Sequence, residues 1–117
     1  MIRLKFELRA ISKDNKKIFN KMGRPFTSAK YKQFERMIQL LAMNQYRGKL
    51  LEGDVAMTMT FYFKNKVHCD LSNLAKSVAD SLQSIVYKND KQIKHLTMAL
   101  IENYEKDCFE ITAEVME

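Results

Sequence analysis

Asp70, Ser72, Asn73, Lys76 and Asp80 fall within a single run of the chain, and Asn89-Asp90 follows shortly after. Carboxylate oxygens suit hard divalent cations, and a lysine ammonium suits phosphate. Gathered inside a basic protein, these groups point to metal-dependent chemistry on a polyanion. At 3.6 residues per turn, Asn73, Lys76 and Asp80 project from nearly one side of a helix, while Leu74, Val78 and Leu82 turn toward a core. Asp70 and Ser72 lie at the start of that helix, where the dipole favours anions. Asp90 precedes Gln92 and Ile93 at the entrance to a strand. A helix returning along a sheet is expected to carry Asp90 toward Asp70.

Each of these residues also has an ordinary role open to it. Asp70 or Ser72 can act simply as an N-cap. Lys76 and Asp80, four apart, can form a solvated ion pair worth a few tenths of a kcal/mol, and Asn89-Asp90 can be a turn made of short polar side chains. His68 stands beside the acidic run and His95 in a strand pattern; for both, an incidental position is the default.

The elements that must hold these residues can be read from periodicity. Ile2 to Arg9 alternates apolar and charged residues, as a strand with one buried face does. Ile11 to Thr27 is basic and carries Gly23 and the only proline, Pro25, so it reads as a long loop. Tyr31, Phe34, Met37, Ile38 and Leu41 recur at helical spacing, with Thr27 or Ser28 as the N-cap and Gly48 as the end. Val55 to Lys64 alternates again, rich in β-branched and aromatic residues. Leu71, Leu74, Ala75, Val78, Leu82 and Ile85 form a second helical stripe. Ile93 to Tyr104 and Phe109 to Met116 read as two more strands, with Glu105-Lys106-Asp107 as a hairpin loop between them. The order β-α-β-α-β-β predicts an α+β fold, a small mixed sheet with two helices packed on it, in one domain spanning 1–117.

Composition narrows the classes. With 117 residues and 46% hydrophobic content, the chain can fill one core. No apolar run reaches the ~20 residues of a membrane-spanning helix, so no membrane partner is expected. Cys69 and Cys108 are too few for a disulfide scaffold and read as reduced thiols of a cytoplasmic protein. Residues 1–50 hold 13 Lys/Arg against 3 Asp/Glu, and residues 51–117 hold 7 against 11. Such polarity suits nucleic acid or another polyanion, although a lysine-rich solvated surface would look the same.

The run Asp70, Ser72, Asn73, Lys76, Asp80, Leu82, followed by Asn89, Asp90, Gln92 and Ile93, resembles the signature of RusA-type Holliday-junction resolvases. The order of elements agrees over nearly the whole chain, and Gly23-Arg24-Pro25-Phe26 ahead of Tyr31 is a weaker second match. The resemblance implies a dimeric, phage- or bacterium-encoded endodeoxyribonuclease. Such an enzyme binds four-way or branched DNA and cuts it by paired symmetric nicks with Mg²⁺, or Mn²⁺. It implies Asp70 and Asp90 as metal-binding carboxylates and Lys76 as a catalytic cation, with Ser72, Asn73 and Asp80 as further candidates. Lys13, Lys16, Lys17, Lys21, Arg24, Lys30 and Lys32 are the candidate phosphate contacts, and Phe26 or Tyr31 either wedges against a base or packs. Two positions depart from the signature: Ser72 and Asn89 stand where aspartates are usual. The alternative is a non-catalytic binder of branched or single-stranded nucleic acid with a degenerate metal site.

Overall fold

The computed structural model describes residues 1–12, 18–19, 25–26, 29–66 and 68–116. Its elements are β1 (Ile2–Phe6), β2 (Ile18–Phe19), β3 (Pro25–Phe26), α1 (Ala29–Gln45), β4 (Val55–Tyr62), α2 (Leu71–Ser81), β5 (Ile93–Ile101) and β6 (Cys108–Val115), with a 3-10 turn at Asp90–Gln92. The α+β architecture and the order of its main elements are those expected. Within the stretch expected to be loop, β2 and β3 pair antiparallel. Neither candidate cap of α1 falls among the described residues.

Strand alternation does what the pattern requires. Leu4 and Phe6 of β1 are buried while Lys5 is exposed, and Val55, Met57, Met59 and Phe61 of β4 all point into the core. Phe6 stacks on Phe109 of β6 at 4.6 Å between ring centroids, and Phe61 and Phe34 tilt against the same ring at 5.6 and 6.2 Å. That aromatic group joins three strands to α1. Tyr31, Phe34, Ile38 and Ala42 form the buried face of α1; Tyr31 is therefore core and does not serve as a wedge for DNA. The buried positions of α2 include Ala75, Ser77, Ala79 and Ser81, small residues that allow close approach to α1 and the sheet. The Ser77 and Ser81 hydroxyls donate to the carbonyls of Asn73 and Ser77, so their burial leaves no orphan donor.

The main sheet runs β1-β6-β4-β5, with β4–β5 parallel and the other pairs antiparallel. The expected hairpin between the last two strands is thus not formed, because β4 lies between them. The α2 crossover returns the chain to the start of β4 and sets β5 parallel to it. To reach β6, the chain must then step across the far end of β4, about two strand spacings or ~10 Å. Phe63 N–H donates to Ile101 and Tyr104 N–H to Phe63, both at 2.9 Å, and Lys64 N–H donates to the Asp107 carboxylate at 2.8 Å. Asn103 takes the left-handed conformation, φ 56°, at this bend. Among the described residues no helix is long and apolar enough to cross a membrane. Cys69 and Cys108 are free thiols.

Candidate functional site

Helix α2 is the spine of the candidate site, and its two ends are different places. Asp70 is its N-cap residue by backbone geometry, φ −60° and ψ 141°, yet its side chain makes no capping hydrogen bond. Its carboxylate is exposed and has no partner among the described residues, so it is free to bind something else. Ser72 is exposed one turn-edge away, Asn73 is half-buried, and Lys76 is exposed on the same stripe of the helix. The Lys76–Asp80 ion pair is not formed. Asp80 instead accepts from Gln83 Nε2 at 2.8 Å, and Lys76 has no acidic partner among the described residues.

The second group lies at the other end of α2. Gln83, its amide fixed by Asp80, accepts the Asp90 N–H at 3.0 Å. Asn89 caps the 3-10 turn, accepting from Lys91 N–H at 2.8 Å, and forms a capping box with Gln92. Asparagine caps as well as aspartate, so this departure from the signature keeps the turn intact. Gln92 uses all its bonding capacity: Oε1 accepts from Lys88 and Asn89, and Nε2 donates to Leu51 and Gly53 at the approach to β4. Gly53, φ 84°, supplies the left-handed conformation there. The Tyr87 hydroxyl donates to the Ala79 carbonyl and is buried, which holds its pKa far above the usual tyrosine range; Asp90 and Asp80 add to that rise.

Asp70 and Asp90 therefore do not meet within one chain. Asp70 lies at the Tyr62–Ile101 end of the parallel β4–β5 pair and Asp90 at the Val55–Ile93 end. Nine residues of β5 separate these levels, on the order of 25 Å. The reason is topological: α2 runs back along β4, so its start and the residues after it face opposite ends of the sheet. Among the described residues no three His, Cys, Asp or Glu side chains are grouped to hold a metal ion. The donors have the right chemistry for Mg²⁺ or Mn²⁺, but a single chain does not assemble them.

Near Asp70 the structure builds a feature that periodicity did not reveal. His68 Nε2 lies 2.6 Å from the Glu102 carboxylate and Nδ1 lies 2.9 Å from the Cys69 carbonyl. Those hydrogen bonds, the one to Cys69 first, raise the histidine's pKa. Phe63 stacks on the ring at 4.7 Å, and the Arg9 guanidinium sits 5.0 Å from the Phe63 centroid. Arg9 pairs with Asp107, whose carboxyl is held below the usual range, chiefly by the Lys64 N–H. The sequence signal was the histidine's position two residues before Asp70, but its partners are distant in the chain.

Of the candidate phosphate contacts, Lys30 and Lys32 are exposed on the first turns of α1. Lys30 also borders a cleft of about 580 Å³ between α1 and β1, lined by Leu8, Ile11, Phe34, Met37 and Leu41. Lys13, Lys16, Lys17, Lys21 and Arg24 lie outside the described residues, as does the Phe26 side chain. No curated protein matches the chain. The family model described as Endodeoxyribonuclease RusA matches residues 7–115.

Proposed function

The chain belongs to the RusA endodeoxyribonuclease family, and from that premise we propose that it is a metal-dependent, homodimeric enzyme that resolves four-way DNA junctions by paired symmetric nicks. The observation that carries the proposal is the placement of Asp70 and Asp90 at the two ends of β5, the open edge of the sheet. Residues 94–99 of β5 are exposed on both faces, with Leu96 and Met98 each 38% accessible and Ile101 40%. Leu96 and Met98 lie beside Met57 and Met59 of β4, on the face the helices cover elsewhere. An open, apolar edge is a template for another strand. When two copies related by a two-fold axis pair β5 antiparallel, the Asp70 end of each comes beside the Asp90 end of the other. Two equivalent sites result, matching two opposed strands at a junction.

In that assembly Asp70 and Asp90 hold Mg²⁺ or Mn²⁺, which supplies charge neutralisation at the scissile phosphate and activation of water. The Lys76 ammonium, unpaired by any acid among the described residues, neutralises charge developing on the phosphate. Asn73 and Ser72 orient ligands from the first turn of α2, while Asp80 works through Gln83 to fix the Asp90 backbone. Lys30 and Lys32, with Lys13, Lys16, Lys17, Lys21 and Arg24, contact phosphates of the DNA arms.

The test is incubation with a synthetic four-way junction and a linear duplex, with and without Mg²⁺ or Mn²⁺. Metal-dependent, symmetric nicks in the junction alone are expected, and Asp70→Asn or Asp90→Asn should lower the rate at least 100-fold. Cutting by either variant at the wild-type rate would misplace the site. The replacement of a family aspartate by Ser72 favours a second reading, a binder of branched DNA without cleavage. Tight junction binding with no nicks in either metal would select it.

A further inference from the structure

We propose that His68 is a positioning residue for Asp70: clamped between Glu102 and the Cys69 carbonyl, it fixes the peptide that leads into α2 and so the direction of the Asp70 carboxylate. The proposal rests on the assignment of Asp70 as a metal-binding carboxylate and adds to it the group that aims that carboxylate.

The geometry is specific. Nδ1 lies 2.9 Å from the Cys69 carbonyl oxygen and Nε2 lies 2.6 Å from the Glu102 carboxylate, so each ring nitrogen is held by a contact of its own. The bond at Nδ1 goes to the carbonyl of the peptide whose N–H belongs to Asp70. Holding that carbonyl fixes the plane of the peptide before Asp70, and the Leu74 N–H, donating to the Asp70 carbonyl at 3.0 Å, holds the peptide after it, so the two together limit where the Asp70 Cα–Cβ bond points. The bond at Nε2 anchors the ring to Glu102, the residue following β5. Phe63, the residue following β4, stacks on the ring face and closes the remaining freedom. Two strand ends thus fix the ring, and the ring fixes the peptide before the helix. Asp70 needs such support from outside because its side chain makes no capping bond to α2. An unsupported exposed carboxylate would have to be ordered when a cation binds, and groups that preorganise ligands commonly change metal affinity 10- to 100-fold.

Three single variants of the full-length protein test this: His68→Gln, Glu102→Gln and Asp70→Asn. Each is measured by calorimetric titration of Mn²⁺, by junction binding in chelator, by thermal unfolding and by amide hydrogen exchange in the metal-free state. His68→Gln is expected to weaken Mn²⁺ binding roughly 10-fold, with junction binding in chelator unchanged. The Leu74 amide, which donates to the Asp70 carbonyl at 3.0 Å, should exchange faster without metal. Saturating Mn²⁺ should restore the cleavage rate. Glu102→Gln keeps an acceptor for the ring and should show the same changes at smaller size. Wild-type Mn²⁺ affinity in His68→Gln overturns the proposal. So does a loss of affinity that only follows a lowered melting temperature, with Glu102→Gln unchanged in every measurement, since the ring would then be packing alone. Wild-type Mn²⁺ affinity in Asp70→Asn would instead remove the assignment beneath it.

Discussion

Gln92 joins three backbone segments through one side-chain amide: the Lys88–Asn89 turn, Leu51 and Gly53. Replacing it by alanine removes the only side chain linking the Asp90 turn to the approach of β4 among the described bonds. Because the site is half-exposed, water takes over some of the freed groups. Gln92→Ala should therefore cost about 1–3 kcal/mol, read as a lower urea midpoint with unchanged slope. Loosening of the Asp90 turn should reduce cleavage more than junction binding. The residues of the candidate site were legible as types and spacings, and the partners that give them roles were not. Asn89 reads in sequence as a departure from the signature and as one half of a polar turn, whereas its specific role is to cap that turn. Asp80 looked like half of an ion pair, whereas its amide partner sits past the helix end. His68 looked incidental because Glu102 is far away in the chain.

At the scale of elements, periodicity located both helices and every strand of the main sheet, since a buried face must repeat at 3.6 or 2 residues whatever it packs against. Pairing is another matter. Whether β6 lies beside β5 or beyond β4 depends on which edges the α2 crossover leaves open, and no local pattern encodes that. Exposure of β5 was equally hidden: the sequence reads Ile93 to Tyr104 only as a strand, and nothing in the apolar residues Leu96, Met98 and Ile101 says that they are exposed. If β5 is the dimer seam, Met98→Glu places two charges near the two-fold axis. The subunit should keep its stability to within about 0.5 kcal/mol, because Met98 is exposed there. Sedimentation should show a monomer where the wild type is a dimer, and junction cleavage should be lost. A fully active Met98→Glu dimer would place the seam elsewhere.

Over the whole molecule, charge is divided between the two halves of the sequence, and the two carboxylates of the proposed site are divided between the ends of β5. Ion pairs Lys5–Glu110, Lys106–Glu7 and Arg9–Asp107 link the basic first half to the acidic second half around β1 and β6. The exposed α1 cations Lys30 and Lys32 take no part in them, so they stay available to the phosphates of the proposed DNA arms. The divided carboxylates make the sharpest prediction. Asp70→Asn and Asp90→Asn subunits should each be inactive alone if both carboxylates belong to the site, whether it is closed within a subunit or shared. If each site lies within one subunit, a mixture of the two variants contains no intact site and stays dead. If each site takes Asp70 from one subunit and Asp90 from the other, a mixed dimer has one site carrying both substitutions and one carrying neither. Random exchange makes half the dimers mixed, so an equimolar mixture should regain about a quarter of the wild-type sites. Because every active dimer holds a single intact site, the products should be unpaired nicks in place of paired ones. Recovery of unpaired nicking on mixing thus distinguishes a site shared across β5 from one closed within a subunit, and an inactive mixture of demonstrably exchanged subunits would refute the shared site.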